Sequence, residues 1–373
     1  MGDAIVEAAR GVQPLVRSRA DDIERQRRLT PDVVAALRDA GLFRLCVPRV
    51  YDGPEADPMT LVRAVEAVAE ADGATGWCVA IASTTSSLSS FLPAETAHEI
   101  YADASIVTGG AYAPTGRGEA VIDGHRVSGT WSWGSGTDHC DWITGGFTTP
   151  DGAFHLAYFP AADVELLDTW YSMGLNGSAS GDFRVVDAFV PASRTIRPGY
   201  VRAQVDSPLA AFPNYNLLAC GIAAVTLGLA RRAIDELVAL AAGKRPAFSS
   251  RTLSNSGAAQ GDIARAEAKV GAARAFLLDE LAQAWASAVA GQPVELVARA
   301  RIRLAATHAA RSCAKAVDLA YNLGGGSSVM TANPLQRCFR DVHTATQHLM
   351  VSPRIDETVG KVLFGVDVDA SAL

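Results

Sequence analysis

The sequence predicts an α+β chain with helices and strands in separate blocks. These are an N-terminal helical domain over 1–104, a central β-barrel or sandwich domain over 105–205, and a C-terminal four-helix bundle over 206–373. Three observations carry this. Up to about residue 104, apolar residues recur at three- and four-residue spacing, which gives a helix one apolar face. From about 105 to 200 the period falls to two, that of a half-buried strand. From about 212 the helical spacing returns in long alanine-rich segments. Strands and helices do not alternate, so a parallel βαβ sheet is excluded.

In the first block, Thr30-Pro31 supplies an N-cap and a first-turn proline. Val33, Val34, Leu37 and Ala40 share a face before Gly41, a helix stop. Leu61, Val65 and Val68 repeat the spacing before Asp72-Gly73. Ser83 to Ser90 is rich in Ser and Thr, and reads either as closely packed helix or as a loop over a ligand. In the middle block, Glu119–Ile122 and His125–Ser128 flank an Asp123-Gly124 hairpin turn. Trp142–Phe147, Phe154–Phe159 and Phe183–Val190 are further strands. Four of the six tryptophans lie between 131 and 170, which places most of the large aromatics here. In the third block, helices are expected over 215–242, 262–290, 294–322 and 334–350, with Gly324–Gly326 ending the third. So many alanines imply closely approaching helices.

The chain has 373 residues, 49% of them hydrophobic, and a net charge of -7. It is too apolar for disorder, and without a basic tract nucleic-acid binding has no electrostatic support. The longest apolar run, Leu217–Ala230, is short of the ~20 residues of a membrane span, so no membrane association is expected. No secretory leader is visible. The six dispersed cysteines read as core thiols of a cytoplasmic protein. GxGxxG after a strand, GxxxxGK[ST], GxSxG and HExxH are all absent. His343 and His348, five apart, would lie about 140° round a helix. Asp138-His139-Cys140-Asp141 would alternate faces on a strand. No metal site is expected.

Two segments stand out. One is Val127-Ser-Gly-Thr-Trp-Ser-Trp-Gly-Ser-Gly136 with Asp138-His139 and Asp141-Trp142. The other is Tyr321-Asn-Leu-Gly-Gly-Gly326 followed by NPLQRxFRDVHxAxQH over 333–348. A weaker third runs from Met173-Gly-Leu-Asn-Gly-Ser-Ala-Ser180 to Phe189-Val-Pro191. In this block order the chain resembles the acyl-CoA dehydrogenase fold. It is most similar to the branch of two-component flavin-dependent monooxygenases, of the hydroxyphenylacetate hydroxylase oxygenase type. In the dehydrogenases a carboxylate removes the α-proton of an acyl thioester. The resemblance places it just after RDVHTATQH, where this chain has Leu349 and Met350, or early in the first C-terminal helix, where nothing acidic lies between Asp206 and Asp235. Dehydrogenation therefore lacks its base.

The resemblance implies instead an oxygenase component that uses reduced flavin, FMNH2 or FADH2, and O2. It would act through a C4a-hydroperoxide to hydroxylate a small aromatic or polycyclic substrate. Acyl-CoA dehydrogenation with FAD, N- or S-oxygenation, and a flavin-free scaffold are the rival readings. The chain has no nicotinamide site, so a separate NAD(P)H-dependent flavin reductase is the implied partner. A homotetramer is implied too.

The chemistry needs water exclusion and an acceptor for flavin N5–H. By resemblance Ser135 is that acceptor, with Trp131 beside the isoalloxazine. From the residues alone Ser135 is also a turn residue between glycines, and Trp131 a sheet-packing residue. His348 is the acid/base or an interface histidine. His125, His139 and Tyr112 are further substrate contacts. Ser178 and Ser180 bind flavin or close a turn. Gly325 and Gly326 cap a helix or admit a flavin phosphate. Arg251, with Gln260, loosely matches a contact to a neighbouring subunit's flavin. His343 should bond within the bundle, and Arg340-Asp341 should form an ion pair. Pocket walls are expected from 75–95, 110–116 and 205–216.

Overall fold

The computed structural model describes residues 2–370 and 373. Five helices come first: α1 (Gly2–Gln26), α2 (Pro31–Asp39), α3 (Pro58–Ala71), α4 (Gly73–Ser86) and α5 (Ala94–Tyr101). Seven strands follow: β1 (Thr108–Val121), β2 (Gly124–Trp131), β3 (Trp142–Thr148), β4 (Phe154–Pro160), β5 (Glu165–Leu167), β6 (Asp182–Pro191) and β7 (Thr195–Ile196). The chain ends in α6 (Pro208–Ala211), α7 (Asn214–Gly243), α8 (Gly257–Val289), α9 (Leu296–Gly324), α10 (Pro334–Ala345) and α11 (Ile355–Leu363). The helical, β, helical order is the one the periodicities give.

Local chemistry sets the elements that matter for the site. Asp72 caps α4, its carboxylate accepting the Thr75 N–H at 2.8 Å. All fourteen residues of α4 are buried. The Ser/Thr-rich run is helical, with a short 3-10 turn over Ser87–Phe91. Its hydroxyls donate to carbonyls one turn back, as Thr84 does to Ala80 at 2.8 Å and Ser87 to Thr84 at 2.7 Å. That satisfies them in a dry interior.

The strands form one mixed sheet, ordered β5-β6-β2-β1-β3-β4-β7, with β1 and β3 parallel and the other pairs antiparallel. The hairpin turn lies one residue earlier than the sequence suggests. Val121 faces Gly124, and Ile122-Asp123 form the loop, Asp123 in the left-handed region. β1 begins at Thr108, hidden by Gly109, Gly110, Pro114 and Gly116. The register slips between Ala111 and Gly116, the irregularity such residues bring.

α7 is long and apolar enough to cross a bilayer, but 83% of its apolar stretch is buried inside the protein. It is the central helix, packed on α3, α4, α9 and α10. Gly228 allows this. A Cβ there would lie 2.4 Å from the Glu66 carbonyl oxygen and 2.7 Å from the Glu70 nitrogen. Both are α3 backbone, so neither can swing aside. Gly228→Ala gains about 1 kcal/mol of helix propensity but forces the helices apart. We expect a net loss of about 1–3 kcal/mol, read as a lower Tm. An unchanged Tm would show that α3 and α7 can separate freely.

Candidate functional site

The three blocks meet at Trp77. It lies on α4, one turn in from the Asp72 cap. Its indole Nε1–H donates to the Ser135 hydroxyl at 2.9 Å. The His348 ring stands edge-on to the same indole, ring centres 5.5 Å apart and planes at 74°. One side chain from each block is thereby in contact, with Trp77 and Ser135 each 6% exposed.

Ser135 sits in a turn after β2 that backbone bonds pin to the segment before β6. Gly134 N–H donates to the Gly181 carbonyl at 2.9 Å, and Gly136 N–H to that of Ser178 at 2.8 Å. Side chains extend the link. Ser135 Oγ lies 2.6 Å from Ser180 Oγ, which lies 2.7 Å from Ser178 Oγ. Ser178 Oγ donates to the Leu175 carbonyl at 2.7 Å. Trp133, Leu175 and Ala179 all have left-handed backbone, at φ 64°, 53° and 47°. Such strain persists only where surrounding contacts impose it, and it gathers at functional sites.

Trp133 is 72% exposed. It borders a cleft of about 280 Å3 with Trp170, Tyr171, Ser180 and Asp182. Trp131, by contrast, is fully buried. It stacks on Phe183 at 5.1 Å and donates to the Gly146 carbonyl at 2.7 Å. Trp131 is therefore sheet core and cannot face a planar ligand; Trp133, two residues on, is the tryptophan this turn presents.

His348 lies just past α10, which stops at Ala345 rather than 350 because His348 begins a new 3-10 turn. Its Nδ1 accepts the Met350 N–H at 3.2 Å, so a neutral ring carries its proton on Nε2. Burial, then the Arg303 charge, pulls its pKa down to about 4. His348 is thus a neutral Nε2–H donor at ordinary pH.

The other predicted residues separate into groups. Tyr112 lies beside Asn214 and Thr85, and burial, then Tyr215, raises its pKa. The three expected pocket walls, 75–95, 110–116 and 205–216, meet here, eight residues or about 12 Å along α4 from Trp77. His139 packs on Phe43 at 5.1 Å, behind the Ser135 turn. Burial, then Arg38, holds it neutral, with a pKa of about 3. His125 is not with them. It starts β2, six residues and roughly 20 Å from Trp131, in a cluster with Phe147 and His155. Arg251 is exposed in the α7–α8 loop, and its side chain makes no hydrogen bond or ion pair among the described residues. Gly325 takes a φ of 51° and ψ of -138°, open only to glycine. Gly326 faces open space. Lys244 Nζ, 2.6 Å from the Gly324 carbonyl, caps α9. His343 bonds Asp318 at 2.8 Å, within the bundle. Among the described residues no metal-holding cluster occurs.

Arg340 does not pair with Asp341. It bonds Glu24 of α1, alongside Arg337. Asp341 accepts the Leu175 N–H at 2.6 Å and lies against buried Asp72. Burial, then Asp72, raises its pKa to about 7. The unfolded value is near 3.8, so the native state holds a proton that the unfolded chain has lost between those limits. Stability from this group therefore falls as pH rises from about 4 to about 7. Asp341→Asn keeps an acceptor for Leu175 and should raise Tm at pH 8 while flattening that slope. A lower Tm at pH 8, where the wild-type group is ionised, would show that the charged carboxylate is needed.

Comparison with known proteins decides the family. The profile "Acyl-CoA dehydrogenase, N-terminal domain" matches residues 4–93, and "Acyl-CoA dehydrogenase, C-terminal domain" matches 220–353. Indole-3-acetate monooxygenase of Pseudomonas putida is 32% identical, covering 94% of this chain and 90% of its own. The chain belongs to the acyl-CoA dehydrogenase superfamily. Within that superfamily it lies in the flavin-dependent monooxygenase branch. The oxygenase subunit HsaA of Rhodococcus jostii (strain RHA1) is 30% identical over 91% of this chain and 92% of its own. The crystal structure of XiaF from Streptomyces sp., in complex with FADH2 and glycerol, superposes with a TM-score of 0.93, at 25% identity over 98% of this chain and 96% of that one. The superfamily member described here is an oxygenase component that uses reduced flavin, with a fold shared across the branch.

Trp77 and Trp133 were absent from the sequence-based candidates. Trp77 had a readable signal: an indole N–H in a buried helix of small residues must find a partner. Trp133 had none, since alternation alone does not tell which tryptophan of Trp-Ser-Trp faces in.

Proposed function

We propose that reduced flavin and an aromatic substrate meet at the Trp77–Ser135–His348 junction. The observation that carries this is that a buried indole of the first block contacts one polar side chain from each of the other two. When bound, the flavin would supply two electrons to O2, one atom of which goes to the substrate and the other to water. Ser135 accepts a hydrogen bond from the flavin N5–H, and Trp133 covers an exposed ring face. The fit rests on Ser135 keeping a free lone pair and on the open cleft beside Trp133. His348 Nε2–H donates to an oxygen or ring nitrogen of the substrate. Tyr112, Thr85 and Asn214 hold its far polar end. A bicyclic or phenolic aromatic would span that distance, in line with the names of the relatives. Whether the carrier is FMNH2 or FADH2 is tested with both.

The separate reductase, the homotetramer and a cytoplasmic location belong to the same reading. Six buried, unbridged cysteines support a reducing compartment. Exposed Phe248 and Val238 support burial against another copy. The division at 104/105 and 205/206 is retained, since the strands lie between these points. The dehydrogenase reading finds no support in the geometry. By resemblance Leu349 and Met350 stand where the base would be, and the buried Asp341 of α10 is already bonded to the Leu175 N–H.

The test supplies the protein with a flavin reductase, NADH, FMN or FAD, and labelled O2, and screens indole and phenol acids. We expect one labelled oxygen per product. Reduction of an artificial acceptor by an acyl-CoA, with no labelled product, would overturn the reading.

A further inference from the structure

We infer that Ser178 and Ser180 are positioning residues that leave Ser135 only an acceptor to offer the flavin, so that the site distinguishes reduced from oxidised flavin by hydrogen-bond polarity. The inference rests on the proposed contact between Ser135 and flavin N5.

The direction of each bond follows by elimination. A serine hydroxyl has one proton to donate and two lone pairs. Ser178 spends its proton on the Leu175 carbonyl, which can only accept. In the 2.7 Å contact between Ser178 and Ser180, Ser180 must then be the donor. Its proton is now used. In the 2.6 Å contact between Ser180 and Ser135, Ser135 must therefore donate. Its proton is used as well. The Trp77 indole, a donor only, fills one Ser135 lone pair. What Ser135 has left is a single lone pair.

The four side chains are buried, with Ser178 at 0% and Ser180 at 4% exposure. Water is thus poorly placed to reverse the chain. The carbonyl that anchors it belongs to Leu175, whose own N–H is held by Asp341 and whose backbone is left-handed. The anchor is set by the fold, before any ligand arrives.

The chemical consequence concerns N5 of the isoalloxazine. In reduced flavin N5 carries a hydrogen and donates. In oxidised flavin N5 is a bare acceptor. The Ser135 lone pair matches the first and opposes the second, leaving two buried acceptors face to face. An unmatched buried polar pair costs roughly a tenfold difference in affinity, or more. The serine chain would thus retain the reduced carrier and release the oxidised one.

The test measures dissociation constants for FMN, FMNH2, FAD and FADH2, the reduced forms anaerobically, on the intact protein. Ser180→Ala frees the Ser135 proton to turn toward N5. Ser178→Ala lets Ser180 donate to Ser135, with the same effect. Each should tighten oxidised flavin and weaken reduced flavin, narrowing the ratio by about tenfold. For a two-electron couple that is a fall of about 30 mV in the potential of the bound flavin. Ser180→Thr keeps the hydroxyl and should restore the ratio. Trp77→Phe removes a donor but leaves the Ser135 proton on Ser180, so both affinities should fall in parallel. A wild-type ratio in Ser180→Ala, or a Trp77→Phe shift as large as that of Ser180→Ala, would overturn the polarity argument. Ser135→Ala separates the two levels. If it alters neither affinity, the N5 contact itself is wrong; if it alters them while Ser180→Ala does not, only the polarity argument fails.

Discussion

Ser135→Ala is expected to cut the yield of oxygenated product per reduced flavin by roughly 10- to 100-fold, the range of a hydrogen bond with a charged or strongly polarised partner. The reason is local. The substitution removes the only side-chain oxygen among the described residues that Trp77 contacts by hydrogen bond. It also breaks the line from Trp77 to Leu175 at its open end. The lost reducing equivalents should appear as hydrogen peroxide, so product and peroxide measured together check the prediction. Full coupling in Ser135→Ala would remove this residue from the site. The turn itself should survive, because its backbone bonds to Gly181 and Ser178 do not involve the hydroxyl.

His348→Ala should do something different. Reduced-flavin affinity should hold, because His348 contacts the Trp77 ring and makes no bond to Ser135. Product formation should fall by about 10- to 100-fold, the range of a lost hydrogen bond to a strongly polarised partner. The ring is neutral down to a pKa of about 4. The wild-type rate should therefore show no inflection from this group between pH 5 and 8. An inflection near 6.5 that disappears in His348→Ala would show that the ring is protonated when it works. His348→Gln keeps a donor and should recover part of the rate.

Much of the fold was legible because period alone identifies the blocks, and α2 illustrates this. Of the face read from its spacing, Val33 and Leu37 are buried and Val34 and Ala40 half-buried. What stayed hidden depended on tertiary partners. β1 was masked from Thr108 to Gly118 because glycines carry no period. α10 was drawn five residues too long because His348 ends it with a side chain bonded to Met350, a choice that helical spacing does not encode. The site was legible in part. Ser135, Ser178, Ser180 and His348 are brought together at Trp77, whereas Tyr112 lies beside Thr85 further along α4 and His125 far along β2. Trp131 was chosen over Trp133, since a tryptophan on a strand and one in the next turn read alike without the sheet register. The Arg340–Asp341 pair was expected from adjacency, but neighbours on a helix point apart. Asp341 turns inward to Leu175 while Arg340 reaches Glu24.

The central claim is that this chain holds reduced flavin at Ser135 and couples its oxidation to oxygenation of an aromatic compound. The most direct measurement is a single turnover. Protein is loaded anaerobically with one equivalent of FMNH2 or FADH2 and an indole or phenol acid, then mixed with labelled O2, and product and peroxide are counted. The account predicts labelled product approaching one per flavin, falling sharply in Ser135→Ala and His348→Ala. Stoichiometric peroxide with no labelled product, for both flavins and every aromatic acid tried, would contradict it.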